Sequence, residues 1–413
     1  MGNTTYKITA KFCFICLVLS LPTACIEEID TASFTYEKLL VVDANISDQA
    51  KAHEVRLFYT SPIDGDVDDT FNAATGATVW VEDNLGIRTY FTEQSSGNYL
   101  SSASFAGEAG KSYTLFITTR EGKRYQSSVE KLVPAPEITE IYNRFVVEPV
   151  GQEAISTPGI QFFIDVEDDS QSTQFYRYEW TDAYQIIVPF PKKWEAVYDN
   201  DVWYFFEVNE DISECYRESR FDEVVLGTSI NNINRELLEV PIKFSAASEF
   251  DITTMYSIEV TQRAISAEAY SYYRKIELFN ESNGSLFDKQ QGVIVGNISS
   301  IDSPPDEKVL GYFEASGESS KRVFLELSDL DQEVFEYVYQ PCVGSSIIEY
   351  EYSMKTFYEA GDLPSEVRPV EIPVRERYEL FDYRPWSGVK YFAYKQCVDC
   401  RKRGSLQKPE WWQ

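Results

Sequence analysis

From Leu39 onward the chain falls into short runs in which apolar and polar residues alternate, a two-residue period that suits a pleated strand and no helix. LLVVDANI, EVRLFYT, ATVWVED, IRTYFTE, NYLSS, SYTLFITT and KRYQSSV follow one another, with Ala77, Val79 and Val81 on one face and Tyr113, Leu115 and Ile117 on another. DNLG and REGK supply Gly-containing hairpin turns between neighbouring runs. Seven such strands without a helical period predict a β-sandwich over 38–133. LVPAPEI, with Pro134 and Pro136, then marks a boundary, because proline removes ladder donors and stiffens linkers.

The remainder, 138–413, also reads as mainly β. Ile160, Phe162, Ile164 and Val166 alternate in GIQFFIDV, and YRYEW, YSIEV and RVFLEL repeat the pattern. One segment departs from it. Ala269, Tyr272, Tyr273, Ile276 and Phe279 recur at helical spacing, which predicts one packed amphipathic helix over about 266–282, capped by Ser266 and ended by Asn283 and Gly284. GATVWVED followed by SSGNY and GKSYTLFITTREGKRY resembles the Ig-like and transthyretin-like sandwiches, a likeness of fold alone.

The first 24 residues carry Lys7 and Lys11, an apolar run from Phe12 to Pro22, and small residues ending at Ala24. The run is about half the ~20 residues that span a bilayer, so 1–24 reads as an export signal. Its end before Cys25 resembles a bacterial lipoprotein signal, with Pro22 where leucine is usual. The resemblance implies a lipidated Cys25, anchorage to a membrane without spanning it, and a tether over 25–37. The acidic IEEID of that tether resembles surface-export signals of Bacteroidota lipoproteins, which implies the outer face of the outer membrane.

Charge and residue counts exclude other classes. A net charge of -30 repels polyanions, so nucleic acid is not an expected partner. His53 is the single histidine and lies between a polar run and a strand, where a solvated ring is expected; triads and His-ligated zinc lack their imidazoles. Asp64, Asp66 and Asp68 begin like a calcium loop, but Thr75 stands where the bidentate glutamate belongs, so no metal is expected there. No phosphate-cradling loop or nucleophile elbow appears, and no cofactor is implied. Carboxylate-only hydrolysis survives this screen. Among the aromatic residues Trp194 and Trp203 are candidate ligand platforms, in a segment that Lys192 and Lys193 mark as an exposed loop.

With Cys13 and Cys16 leaving in the signal and Cys25 taking lipid, four cysteines remain: Cys215, Cys342, Cys397 and Cys400. An even count in an exported chain favours disulfides, with three connectivities open. The C-x-x-C of Cys397 and Cys400 lacks the second pair that zinc wants and the βαβ setting of a redox motif.

The stretch from YSIEV through the helix to GNISS, then EKVLGYFEASGESSKRVFLEL, resembles the Bacteroidota lipoproteins that carry the domain of unknown function 4249. The likeness rests on Gly284 to Asp288, Gly296 to Ile298 and Leu310 to Phe313. It takes in LLVVDANISD, GATVWVEDNLG, the pair Cys215 and Tyr216, and the closing CVDC and KPEWW, with departures at Gln291, Ser405 and Trp411. It implies an accessory or binding role beside a TonB-dependent outer-membrane receptor, without catalysis, for a small-molecule, glycan or peptide ligand. A structural or adhesive surface protein is the alternative, and a carboxylate-based hydrolase the third reading.

Overall fold

The computed structural model describes residues 38–61, 72–150, 155–167, 174–200, 202–220, 224–230, 237–248, 254–281, 294–302, 307–335, 337, 342, 348–350 and 378–412. The seven alternating runs form β1 (Leu40–Ser47), β2 (Glu54–Tyr59), β3 (Thr78–Asp83), β4 (Arg88–Ser95), β5 (Asn98–Leu100), β6 (Ser112–Thr118) and β7 (Arg124–Ser127), followed by the short β8 (Glu130–Lys131). Their order is β1-β2-β5-β4-β3-β6-β7. The upper part of β4 pairs with β3 and its lower part with β5, so one continuous sheet folds over itself. Val42, Leu57, Val79, Leu115 and Ile117 meet in the fold and are buried, as the alternation requires. The DNLG and REGK turns place Gly86 and Gly122 at φ of 81° and 87°, where only glycine sits without strain.

Beyond the prolines come β9 (Ile138–Val150), β10 (Ile155–Val166), β11 (Phe175–Ile187), the hairpin β12 (Trp194–Asp199) and β13 (Val202–Glu207), β14 (Glu214–Arg220), β15 (Val225–Thr228), β16 (Leu237–Ala246) and β17 (Met255–Ala264). The sheet β16-β10-β9 faces β11 and β17 across a second core built from Ile160, Phe162, Ile164, Tyr176, Tyr178, Trp180 and Ile258. α1 (Ala267–Glu281) follows, and Ser266 Oγ accepts the Ala269 N–H at 3.1 Å, the cap expected there. The expected end of the helix at Asn283 and Gly284 lies outside the described residues.

β18 (Ile298–Ser300) adds to the first half beside β7, and the 18-residue β19 (Val309–Glu326) joins the two halves. The first part of β19 runs parallel to β1, with Leu40 opposite Val309 and Ser47 opposite Ser316; the second part runs antiparallel to β17. Phe313 and Ala315 thereby enter the first core, and Val323 and Leu325 pack on the second. A smaller sheet of β20 (Ile348–Tyr350), β21 (Tyr378–Arg384) and β22 (Val389–Tyr394) carries a third core at Tyr378, Leu380 and Phe392. The chain is mainly β with one long helix among the described residues, as the periodicities predict. No described helix is long and apolar enough to cross a membrane.

His53 departs from expectation. It is 1% exposed, Nδ1 accepts the Ser47 N–H at 3.3 Å, and Nε2 faces the Gln49 carbonyl at 3.1 Å. The loop from Ser47 folds the ring against Phe105, and burial, helped by Lys51, pushes its pKa down, so the ring is a neutral structural pin.

Candidate functional site

The outer face of β1 and β19 carries Val41, Leu310 and Tyr312, and α1 lies over it. Ala269 is fully buried, Tyr272 stacks on Tyr312 at 4.9 Å, and Tyr273 packs beside them. Farther along, Ile276 and Phe279 line an open groove of about 650 Å³ instead of a closed core. Phe279 is 39% exposed, so the end of the stripe expected to be core faces a cavity. Ile294 closes one side, and Asp43 supplies a carboxylate at the floor, where its Oδ2 accepts Arg56 Nε at 3.1 Å.

Two glycines build that floor. Gly311 has φ of 95° and lies so close to β1 that a Cβ would meet Val42 O at 1.8 Å; a Cβ on Gly296 would meet Gly311 O at 1.5 Å. Asn297 extends the lattice with its side chain, accepting the Phe313 N–H and donating to the Phe313 carbonyl, both at 2.9 Å. Its amide also donates to Glu130, which is 3% exposed and accepts the Tyr312 hydroxyl at 2.7 Å and the Ser266 hydroxyl at 2.8 Å. Burial pushes the Glu130 carboxyl up, and its three donors only partly pull it back.

A row of opposite charges continues from the groove on the same sheet face. Arg177 grips Glu314 with Nε at 3.0 Å and Nη2 at 3.2 Å, and reaches Glu179 with Nη1 at 2.5 Å. Arg263 bridges Glu179 at 3.5 Å and Glu318 at 3.1 Å, and Lys51 closes the row on Glu318 at 2.6 Å. The Arg177 guanidinium lies 4.8 Å from the Tyr273 ring centre, coupling the row to the helix. Burial alone would push the Glu179 carboxyl up, but Arg177 and Arg263 outweigh it and hold it down at about 2; Glu314 is depressed by the same balance. These carboxylates are fixed acceptors, suited to holding the sheet and helix in place rather than to moving protons near neutrality.

The other expected positions lie elsewhere. Cys25, the acidic tether and Asp64, Asp66 and Asp68 are outside the described residues. Cys215 bonds Cys400 and Cys342 bonds Cys397, so the C-x-x-C pair closes two separate bridges. The tail is stitched further by the paired backbones of Tyr216 and Ser405 and by Trp412 against Tyr216 at 5.2 Å. Trp194 and Trp203 pack on the third core, Trp194 edge-on to Tyr383 at 5.5 Å, and do not join the groove. Lys192 corrects the exposed-loop reading: it is held by Glu379 at 2.7 Å with its side chain 10% exposed, while Lys193 alone stays exposed. The charged row was missed, although in YRYEW it is Arg177 and Glu179 that alternate with the aromatic core residues.

No curated protein matches the chain. A solved DUF4785 family protein from Legionella pneumophila is similar at 9% identity, covering 55% of this chain and 52% of its own, with a TM-score of 0.17. The chain thus spans about half the length of that structure. Residues 26–322, which include both cores' shared strand up to Arg322, the helix and the groove floor, match the family described as Domain of unknown function (DUF4249). The chain belongs to the DUF4249 family.

Proposed function

We propose that this chain is a lipid-anchored protein of the outer-membrane surface that binds a ligand in the groove under α1 and serves a TonB-dependent uptake system. The groove carries the reading. Its volume of about 650 Å³ falls within the ~300–1,000 Å³ of small-molecule sites, and its walls are mainly aromatic and aliphatic with one carboxylate. Such a lining suits a ligand with a flat apolar face, a small molecule or the side chain of a peptide, more than a fully hydroxylated sugar. The charged row beside it holds its protons fixed, which suits binding without catalysis. The signal-like start, Cys25 and the acidic IEEID support the anchor and the address, and the family resemblance supports the receptor.

Capture through a C-terminal tag in mild detergent tests the partnership. A TonB-dependent receptor is the expected co-purifying protein, and its repeated absence beside folded, abundant bait overturns that part of the reading. Ile276→Asp, on the groove wall, is expected to abolish the ligand-dependent rise in melting temperature while leaving receptor capture intact.

A further inference from the structure

A second pair of opposite charges lies inside the second core, away from the groove. Asp182 is on the inward face of β11 and 3% exposed, between Trp180 and Tyr184. Lys243 reaches it from the facing sheet. A bulge in the β10–β16 pairing sets Lys243 opposite the inward-pointing Phe162, so a lysine enters a position that the alternation would give to an apolar residue. Lys243 Nζ donates to Asp182 Oδ2 and lies 3.1 Å from the Tyr256 hydroxyl, which itself donates to Oδ2 at 3.2 Å. The Trp180 ring centre is 4.5 Å from Nζ. Asp182 Oδ1 is buried and accepts no hydrogen bond among the described residues.

This is an unfavourable setting for two charges. Attraction in a dry core only partly returns the hydration each ion gives up. The form able to react is the one in which the proton has moved from the ammonium to the carboxylate, an amine hydrogen-bonded to the carboxyl group beside it. Burial pushes the Lys243 pKa down further than Asp182 raises it, which favours that amine.

We propose that Lys243 and Asp182 condense to an amide, a covalent bolt between the two sheets of the second sandwich. Nζ attacks Cγ and forms the new C–N bond. The Tyr256 hydroxyl takes one proton from Nζ and returns one to the hydroxyl formed on Oδ2. The Cγ–Oδ2 bond then breaks, its electron pair leaving with a molecule of water, while Oδ1 remains as the amide carbonyl and one hydrogen stays on nitrogen. Nothing is oxidised or reduced, and no co-reactant is needed. Held neighbours react at effective concentrations of ~10⁵–10⁸ M, which lowers the barrier to condensation. The product replaces two buried charges by one neutral group.

Peptide mass spectrometry of the full chain, purified folded and then reduced and digested, tests the bond. A branched peptide joining the Asp182 and Lys243 segments, lighter than their sum by one water, is expected in essentially every molecule. Lys243→Arg, which keeps the charge, and Asp182→Ala should each release two linear peptides of full mass; Asp182→Asn should still branch, with ammonia lost instead of water. Linear peptides from wild-type protein that unfolds cooperatively overturn the proposal. A water loss confined to the Asp182 peptide, as a cyclic imide would give, overturns it equally.

Discussion

Gly311 shows how little freedom a single position has where two strands meet a helix. Its φ of 95° disfavours any side chain, and a Cβ would lie 1.8 Å from Val42 O, inside the backbone of β1, which cannot yield without breaking the parallel ladder. Gly122 separates the two effects, because its φ is 87° but nothing lies within 4 Å of its added Cβ. Gly122→Ala should therefore cost only the left-handed strain, about 1–2 kcal/mol. Gly311→Ala adds displaced backbone and should cost at least about 3 kcal/mol. Urea unfolding of the two variants checks the ranking, and equal midpoints would contradict the close approach. The sequence marks Gly311 only as part of a recurring motif; the carbonyl that demands it belongs to a residue far earlier in the chain. His53 teaches the same lesson. Its polar neighbours suggest solvent, but the residues that bury it, Ser101 and Phe105, arrive from another loop.

At the level of elements, the charged row across β11, β17 and β19 makes a pH-dependent contribution whose sign is fixed. Glu179 is held at about 2, below its ordinary 4.5, so the folded chain binds its proton less readily than the unfolded one. The stabilisation is fully present above 4.5 and disappears as pH falls towards about 2, an upper bound of about 3 kcal/mol. Urea midpoints of wild type should fall by more than those of Glu179→Gln between about pH 5 and pH 2, with the two curves parallel above that window. A wild-type curve as flat as that of the variant would refute the depressed carboxyl. The strands that hold this row were legible, because Tyr176, Tyr178 and Trp180 alternate with Arg177 and Glu179 and one buried face fixes the register of β11. The helix was legible from its stripe and its serine cap. The parallel pairing of β1 with β19 was not, because a ladder between distant segments leaves no local period in either. The groove was half legible: the stripe showed an apolar face, while its spacing is the same whether that face meets a closed core or an open cavity. Lys243 was hidden by the bulge, which inverts the facing that alternation assigns, and Lys192 by a partner, Glu379, brought from the far end of the chain.

Over the whole molecule, the stretch that matches the family and the stretch that folds do not coincide. The match ends at residue 322, within β19, yet the second core continues beyond it through the half-buried Val323, Leu325 and Leu327 to the buried Leu330 and Val334, and Cys400 returns to bond Cys215. At roughly 2 kcal/mol for a fully buried aliphatic side chain and about half that for a half-buried one, these five residues contribute about 7 kcal/mol, comparable to the ~5–15 kcal/mol that holds a typical domain together. Among the described residues, every buried member of the first core lies at or before Ala315. A chain ending at residue 322 should therefore keep the first core and lose the second. It gives up the rungs from Val323 to Glu326 that pair with Ile258 to Met255, and with them the Trp412 contact on Tyr216. Hydrogen exchange reads the outcome strand by strand. Slow exchange should persist in β1, β3 and β6 and vanish in β11 and β17, whereas full-length protein protects all five. Equal protection in both chains would mean that the tail merely rests on a second core able to stand without it.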